Sequence, residues 1–225
     1  MPVYMLGKEN IFPDPNDAEE TGLLAVGGDL NPERLLLAYK SGIFPWYSEG
    51  DPILWFSPNP RLIFELESYN PGRTLRKLLN LKKYEVKIDT NFEEVIRKCA
   101  EVSRNGQAGT WITDEMISAY INLYNLGFAH SFETYLDNEL VGGLYGISLG
   151  GAFFGESMFH SKKDASKVAF HYLVLKCREL NFDFIDSQVP TDHMKQMGCI
   201  EISRDTFLKR LKNALLKDTV NGHWK

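Results

Sequence analysis

The chain has 225 residues, 44% hydrophobic and 24% charged, the composition of a globular protein able to bury a substantial core. Its net charge of −5 argues against a generic nucleic-acid coat, and its three cysteines, Cys99, Cys177 and Cys199, lack the CxxC spacing of a zinc knuckle or a disulfide framework. Apolar runs such as 168–175 carry His171 and are too short to span a bilayer, and residues 1–4 begin no signal segment. The expectation is a cytoplasmic protein without membrane contact.

Residues 1–20 are polar and broken by Pro13 and Pro15, which predicts a surface arm. A short apolar strand or turn at 21–30 precedes a helix with Asn31 as N-cap and Pro32 at its first position, stopped near Gly42. Residues 43–61 are dense in aromatics and prolines, which excludes a regular helix and predicts an ordered aromatic loop. Trp46 and Trp55 could cement a small domain or form a stacking wall for a base; the residues alone leave both open. A strand at 61–66 is followed by a helix over 71–83 with Leu75, Leu78 and Leu79 facing inward, and by a half-buried strand at 84–88.

Asp89, Thr90 and Asn91 offer cap chemistry for a helix over 92–102, and a loop around Gly106 and Gly109 leads to Trp111. A helix over 114–126 ends at Gly127. The period then changes to two: strands at 129–136, 140–148 and 152–156 form an antiparallel meander through Asp137-Asn138 and Gly150-Gly151. Asp164 begins a helix to about Leu180, residues 184–189 return as a strand, and 203–216 form a basic amphipathic helix. The class is α+β. Two domains are expected, a small one at 1–61 and a larger one at 62–225.

Arg73, Arg76, Lys77, Lys82 and Lys83 concentrate positive charge in an acidic chain, either a solvated helix face or a phosphate-binding surface. On a strand, Asp186 and Gln188 share a face. They are either polar residues at a strand end or a carboxylate that orients an amide. Glu156 closes the meander and could pair with Lys167 or face a pocket. His130 reads as a structural histidine, and the spacing of His160, His171, His193 and His223 predicts no metal.

A meander followed by a helix and a returning strand resembles the acyl-CoA N-acyltransferase (GNAT) fold, here with an antiparallel or mixed sheet flanked by helices. The pyrophosphate loop of that family, Q/R-x-x-G-x-G/A, has no counterpart in residues 158–167, which contain no glycine, so coenzyme A is a poor donor and no cofactor is expected. The strings LLAVGGDL (23–30), GIFPWYS (42–48), DPILWFSPNPR (51–61), GTWIT (109–113), AHSFE (129–133), VGGLYG (141–146), FGESMF (154–159), ASK (165–167) and IDSQ (185–188) together resemble the leucyl/phenylalanyl-tRNA–protein transferase family.

That resemblance implies transfer of Leu, Phe or Met from aminoacyl-tRNA to the α-amino group of proteins beginning with Lys or Arg, which marks them for degradation. It implies that Asp186 polarises Gln188, that Gln188 positions the attacking amine, and that Glu156 shares their pocket, with Ser157 as a further polar contact. Trp111 matches a residue that stacks on the terminal adenine. The apolar pocket matches Leu144, Phe153, Met158, Phe170, Leu173 and Ile185, where exchanges at Phe170 and Leu173 conserve volume. Thr191 stands where Asn is expected. The basic cluster then becomes a landing site for tRNA phosphates. A tRNA-dependent transferase acting on a cell-wall peptide precursor and a non-catalytic tRNA-binding module are the competing readings, and a monomer is the default.

Overall fold

The computed structural model describes residues 3–102 and 111–224. The expected loop around Gly106 and Gly109, with Thr110, lies outside the described residues. In chain order the elements are β1 (Tyr4–Leu6), β2 (Leu23–Gly27), α1 (Pro32–Lys40), β3 (Phe44–Pro45), β4 (Leu54–Phe56), β5 (Arg61–Glu65), α2 (Arg73–Asn80), β6 (Glu85–Ile88) and α3 (Phe92–Ala100). They continue with α4 (Asp114–Asn125), β7 (Ala129–Leu136), β8 (Glu139–Leu149), β9 (Ala152–His160), α5 (Ala165–Glu179), β10 (Phe184–Asp186), α6 (Asp192–Gln196), β11 (Ile200–Ile202) and α7 (Arg204–Ala214). Two mixed sheets result, one in the order β1-β2-β4-β3 and one in the order β11-β5-β10-β9-β8-β7-β6. The α+β class stands.

Local chemistry explains the long elements. Thr113 accepts the amide of Met116 at 3.2 Å, Asp114 and Glu115 follow in the first turn, and Gly127 at φ 78° ends α4. Asp137 and Asn138 both take positive φ, as the tight turn between β7 and β8 requires. Within β8, Gly142 lets α5 approach: a side-chain carbon there would come within 2.6 Å of Ala165. Nearly all of β8 is therefore buried, with α5 across one face and α3 across the other.

Several expectations are corrected. Residues 4–6 form a strand parallel to β2 rather than belonging to a free arm. Three residues are too few to display a period. The aromatic loop contains β3 and β4, and Pro45 is tolerated because β3 is an edge strand. Asn31, Asn91 and Asp164 occupy N-cap positions without capping through their side chains. Asp164 is left-handed, at φ 62°, and holds Lys167 instead.

The strand expected at 184–189 ends at Asp186, and Gln188 takes φ 54°. Conversely, β9 runs past Glu156 to His160. Tyr145 pairs with Ser157 and Gly146 with Gly155, so Glu156 is the extra residue of a β-bulge in mid-strand. Residues of both sheets meet in one apolar core, where Trp55 and Tyr39 join Phe92, Tyr145 and Phe154. Trp55 is fully buried and its indole N–H donates to the Gly27 carbonyl at 2.9 Å, which assigns it the cementing role.

Candidate active site

A cavity of about 610 Å³ opens beside the bulge. Leu144 of β8, Met158 of β9, Phe170 and Leu173 of α5 and Ile185 of β10 form apolar wall. Phe44 and Trp46, from β3 and the residue after it, line it from the other sheet, and Trp111 lines it just before α4. Glu156, Ser157 and Gln188 supply polar surface. Of the apolar residues expected there, Phe153 is absent from the lining. It is fully buried beneath Trp224, their ring centroids 6.0 Å apart.

Glu156 is the best-connected acid at the cavity. The Tyr39 hydroxyl donates to its Oε1 at 2.8 Å, the Tyr120 hydroxyl to its Oε2 at 3.1 Å, and the Gln188 side-chain N–H to Oε1 at 3.1 Å. The two tyrosine hydroxyls also touch one another. Two phenolic protons thus face three oxygen-to-oxygen contacts. With Glu156 ionised, both phenols can donate to it; with Glu156 protonated, its own proton completes a ring through Tyr120 and Tyr39. The group can change protonation without losing its position.

Burial raises the Glu156 pKa to about 7, against the opposing pull of the two tyrosine hydrogen bonds. The nearby Asp186 charge adds to the rise and Arg61 offsets it. Burial and the Glu156 charge in turn push both tyrosines well above 10. Lys167, the alternative partner for Glu156, pairs with Asp164 at 2.9 Å.

Asp186 does not line the cavity. It is fully buried, gripped by Arg61 through Nε at 2.9 Å and Nη2 at 2.6 Å, and its Oδ1 accepts the Gln188 backbone N–H at 3.0 Å. Arg61 also donates to the Gly42 carbonyl at 3.1 Å and lies against the rings of Phe207 and Phe44. The expectation that Asp186 and Gln188 share a strand face fails because the strand ends between them. Asp186 holds the backbone of Gln188, and Glu156 takes its amide.

Tyr39, Tyr120 and Arg61 were not legible as site residues. Tyr39 and Tyr120 occupy positions in helical apolar stripes where any large side chain would serve. Arg61 begins a strand whose next three residues are apolar, and the signal available was that an arginine in such a place needs a buried acid. Thr191 lines the cavity and caps α6, accepting the Met194 amide at 3.2 Å, so threonine performs the cap where Asn was expected.

His130 sits elsewhere, fully buried, with Nδ1 2.8 Å from Asp89, Nε2 3.1 Å from Ser148 and its ring stacked on Trp224 at 3.7 Å. It is a satisfied structural histidine. Arg73, Arg76, Lys77, Lys82 and Lys83 are all exposed, on α2 and the turn after it. Leu75, Leu78 and Leu79 pack on the opposite face against a cluster containing Tyr84 and Val168.

Comparison with known proteins places the chain in a family. A family model described as leucyl/phenylalanyl-tRNA protein transferase matches residues 63–212, and the model of that family's N-terminal domain matches 28–59. The leucyl/phenylalanyl-tRNA--protein transferase of Sulfurimonas denitrificans is 52% identical over 98% of this chain and 96% of its own. That of Anaeromyxobacter sp. strain Fw109-5 is 54% identical over 100% of this chain and 95% of its own. Among solved structures, a conserved protein from Staphylococcus epidermidis aligns with 80% of this chain and 68% of its own at 11% identity and a TM-score of 0.44, a distance at which the likeness carries no argument. The chain belongs to the leucyl/phenylalanyl-tRNA–protein transferase family.

Proposed function

We propose that this aminoacyltransferase moves Leu, Phe or Met from aminoacyl-tRNA to the α-amino group of proteins beginning with Lys or Arg, marking them for degradation, and that the ester is held in the cavity beside Glu156. The observation that carries this reading is one cavity with an apolar wall and a polar cluster at Glu156 and Gln188. The aminoacyl side chain occupies the wall of Leu144, Met158, Phe170, Leu173 and Ile185, with Ser157 as a polar contact. Trp111 stacks on the terminal adenine, a contact of about 1 to 3 kcal/mol that suits an end common to all tRNAs.

The chemistry follows from the hydrogen bonds. The ester is already activated and the amine is itself the nucleophile, so no serine or cysteine is required. With the Gln188 N–H committed to Glu156, its amide oxygen is the atom that orients the amine. As the amine attacks the ester carbonyl, it must shed a proton, and as the tetrahedral intermediate collapses, the ribose oxygen must gain one. Glu156 as a carboxylate accepts the first and, once protonated, supplies the second. Tyr39 and Tyr120 hold it through both states. Asp186 and Arg61 act through the backbone of Gln188 and do not touch substrate.

Arg73, Arg76, Lys77, Lys82 and Lys83 meet tRNA backbone phosphates. Residues 1–61 serve as a small N-terminal domain and 62–225 as a catalytic domain of the GNAT-like type, acting as a monomer in the cytoplasm, where charged tRNA is available. No helix among the described residues is long and apolar enough to cross a membrane. The test is transfer from leucyl-, phenylalanyl- and methionyl-tRNA to peptides beginning with Lys, Arg or Ala. Product is expected on the Lys and Arg peptides alone; transfer to none of them would refute the reading.

A further inference from the structure

The turn at residues 161–164 joins two features that the proposed function uses separately. On one side of it, β9 follows the cavity from Glu156 to His160; on the other, Ser166 and Phe170 of α5 line the same cavity. The turn therefore stands at the cavity rim. It is also tied to the basic cluster, because the Tyr84 hydroxyl donates to the Lys163 carbonyl at 2.9 Å and Tyr84 directly follows Lys82 and Lys83. The Val141 carbonyl accepts the amides of Ser161 and Lys162, which fixes the turn on the sheet.

Lys162 and Lys163 are exposed at this junction. Asp164, the acid beside them, is engaged by Lys167 at 2.9 Å. Among the described residues lining the cavity there is no lysine or arginine, so a polyanion entering it must be neutralised at the rim. The ammonium groups of lysine, on flexible stems, suit a backbone followed without regard to base.

Resting on the aminoacyl-tRNA reading above, we propose that Lys162 and Lys163 form a phosphate track that carries the single-stranded 3′ end of the donor from the basic cluster of α2 into the cavity. Each lysine neutralises backbone phosphate, and the bases remain free for stacking farther in. The partner is a ribose-phosphate single strand, and the contact is indifferent to sequence and sensitive to salt.

The test uses the full chain with Lys162→Gln and Lys163→Gln combined, comparing aminoacyl-tRNA with an aminoacyl-adenosine that has no phosphate. The apparent KM for aminoacyl-tRNA should rise on the order of tenfold, and the slope of log affinity against log salt should fall by about 1.4 for the two lost contacts. The rise should be confined to the donor that carries phosphates. Lys162→Glu with Lys163→Glu should move both quantities further in the same direction. An unchanged KM and slope for aminoacyl-tRNA would overturn the track, as would an equal rise with both donors. If the unaltered protein transfers from neither donor, the functional reading fails as well; if it transfers and the double variant matches it, only the track fails.

Discussion

Two polar clusters set into the core of this molecule are built from similar parts and differ in access. Asp89, His130 and Ser148 stand in hydrogen-bond contact, the residue types of a nucleophilic triad, yet all three are buried and Trp224 is stacked over the imidazole. Asp89 also accepts the backbone N–H groups of Ser131 at 2.8 Å and Trp224 at 2.6 Å, so its acceptor capacity goes to holding strands and the C-terminal segment together. Glu156 is equally well bonded, but its cluster faces a cavity able to hold a substrate. Residue identity does not distinguish a catalyst from a rivet; access to a reacting atom does.

The comparison can be broken experimentally, and the largest effect is expected beneath the open cluster. Asp186→Ala strands the buried Arg61 and should lower unfolding stability by about 3 to 5 kcal/mol in urea titrations. A loss below about 1 kcal/mol would mean that water reaches the guanidinium. Glu156→Gln keeps the shape and removes the titrating group, and kcat should fall about 10²-fold in single-turnover transfer. Retention of full activity would leave Glu156 a mere binding contact.

Smaller effects separate the clusters by pH. Removing a hydroxyl that lowers the Glu156 pKa should move the acid limb of the rate profile to higher pH, by about one unit for Tyr120→Phe or Tyr39→Phe. An unmoved limb would exclude Glu156 as its origin. Stability should respond in opposite senses at the two sites. Glu156 is raised from 4.5 to about 7, so its contribution is full below pH 4.5 and declines as pH rises through 7. Burial lowers His130 from 6.5, so its contribution is full above pH 6.5 and declines as pH falls through its depressed value. The smallest change, Ser148→Ala, should cost about 1 kcal/mol of stability and leave kcat unaltered; a lowered kcat would give the sealed cluster a part in the reaction.

The regular elements were legible wherever a period or a cap extended over enough residues, as in β7, β8 and α4. Most of the cavity wall was also reached, through the family resemblance, since residues such as Leu144 and Phe170 look like any other core position. What escaped was set by long-range contacts. Arg61 and Asp186 lie 125 residues apart, and Tyr39 meets Glu156 across 117. Neither partner announces the other. Phe153 shares a face with Met158, but at Phe153 that face has left the cavity and passes beneath Trp224. Nothing in Asp-Ser-Gln predicts a left-handed backbone at glutamine, so the residues alone extend the strand through Gln188.

The bulge at Glu156 has a consequence for how β9 tolerates change. Before it, Phe153 packs in the cluster of Leu144 and Phe170, while Phe154 packs in the larger core; after it, Met158 takes the first side and Phe159 the second. Odd and even positions have exchanged sides, as one extra residue demands. The strand thus carries two reading frames spliced at Glu156, and deleting that one residue would close the bulge while Met158 kept the side of Phe153 and Phe159 that of Phe154. The residue whose loss the alternation of β9 would survive is therefore the one that carries the cavity's carboxylate.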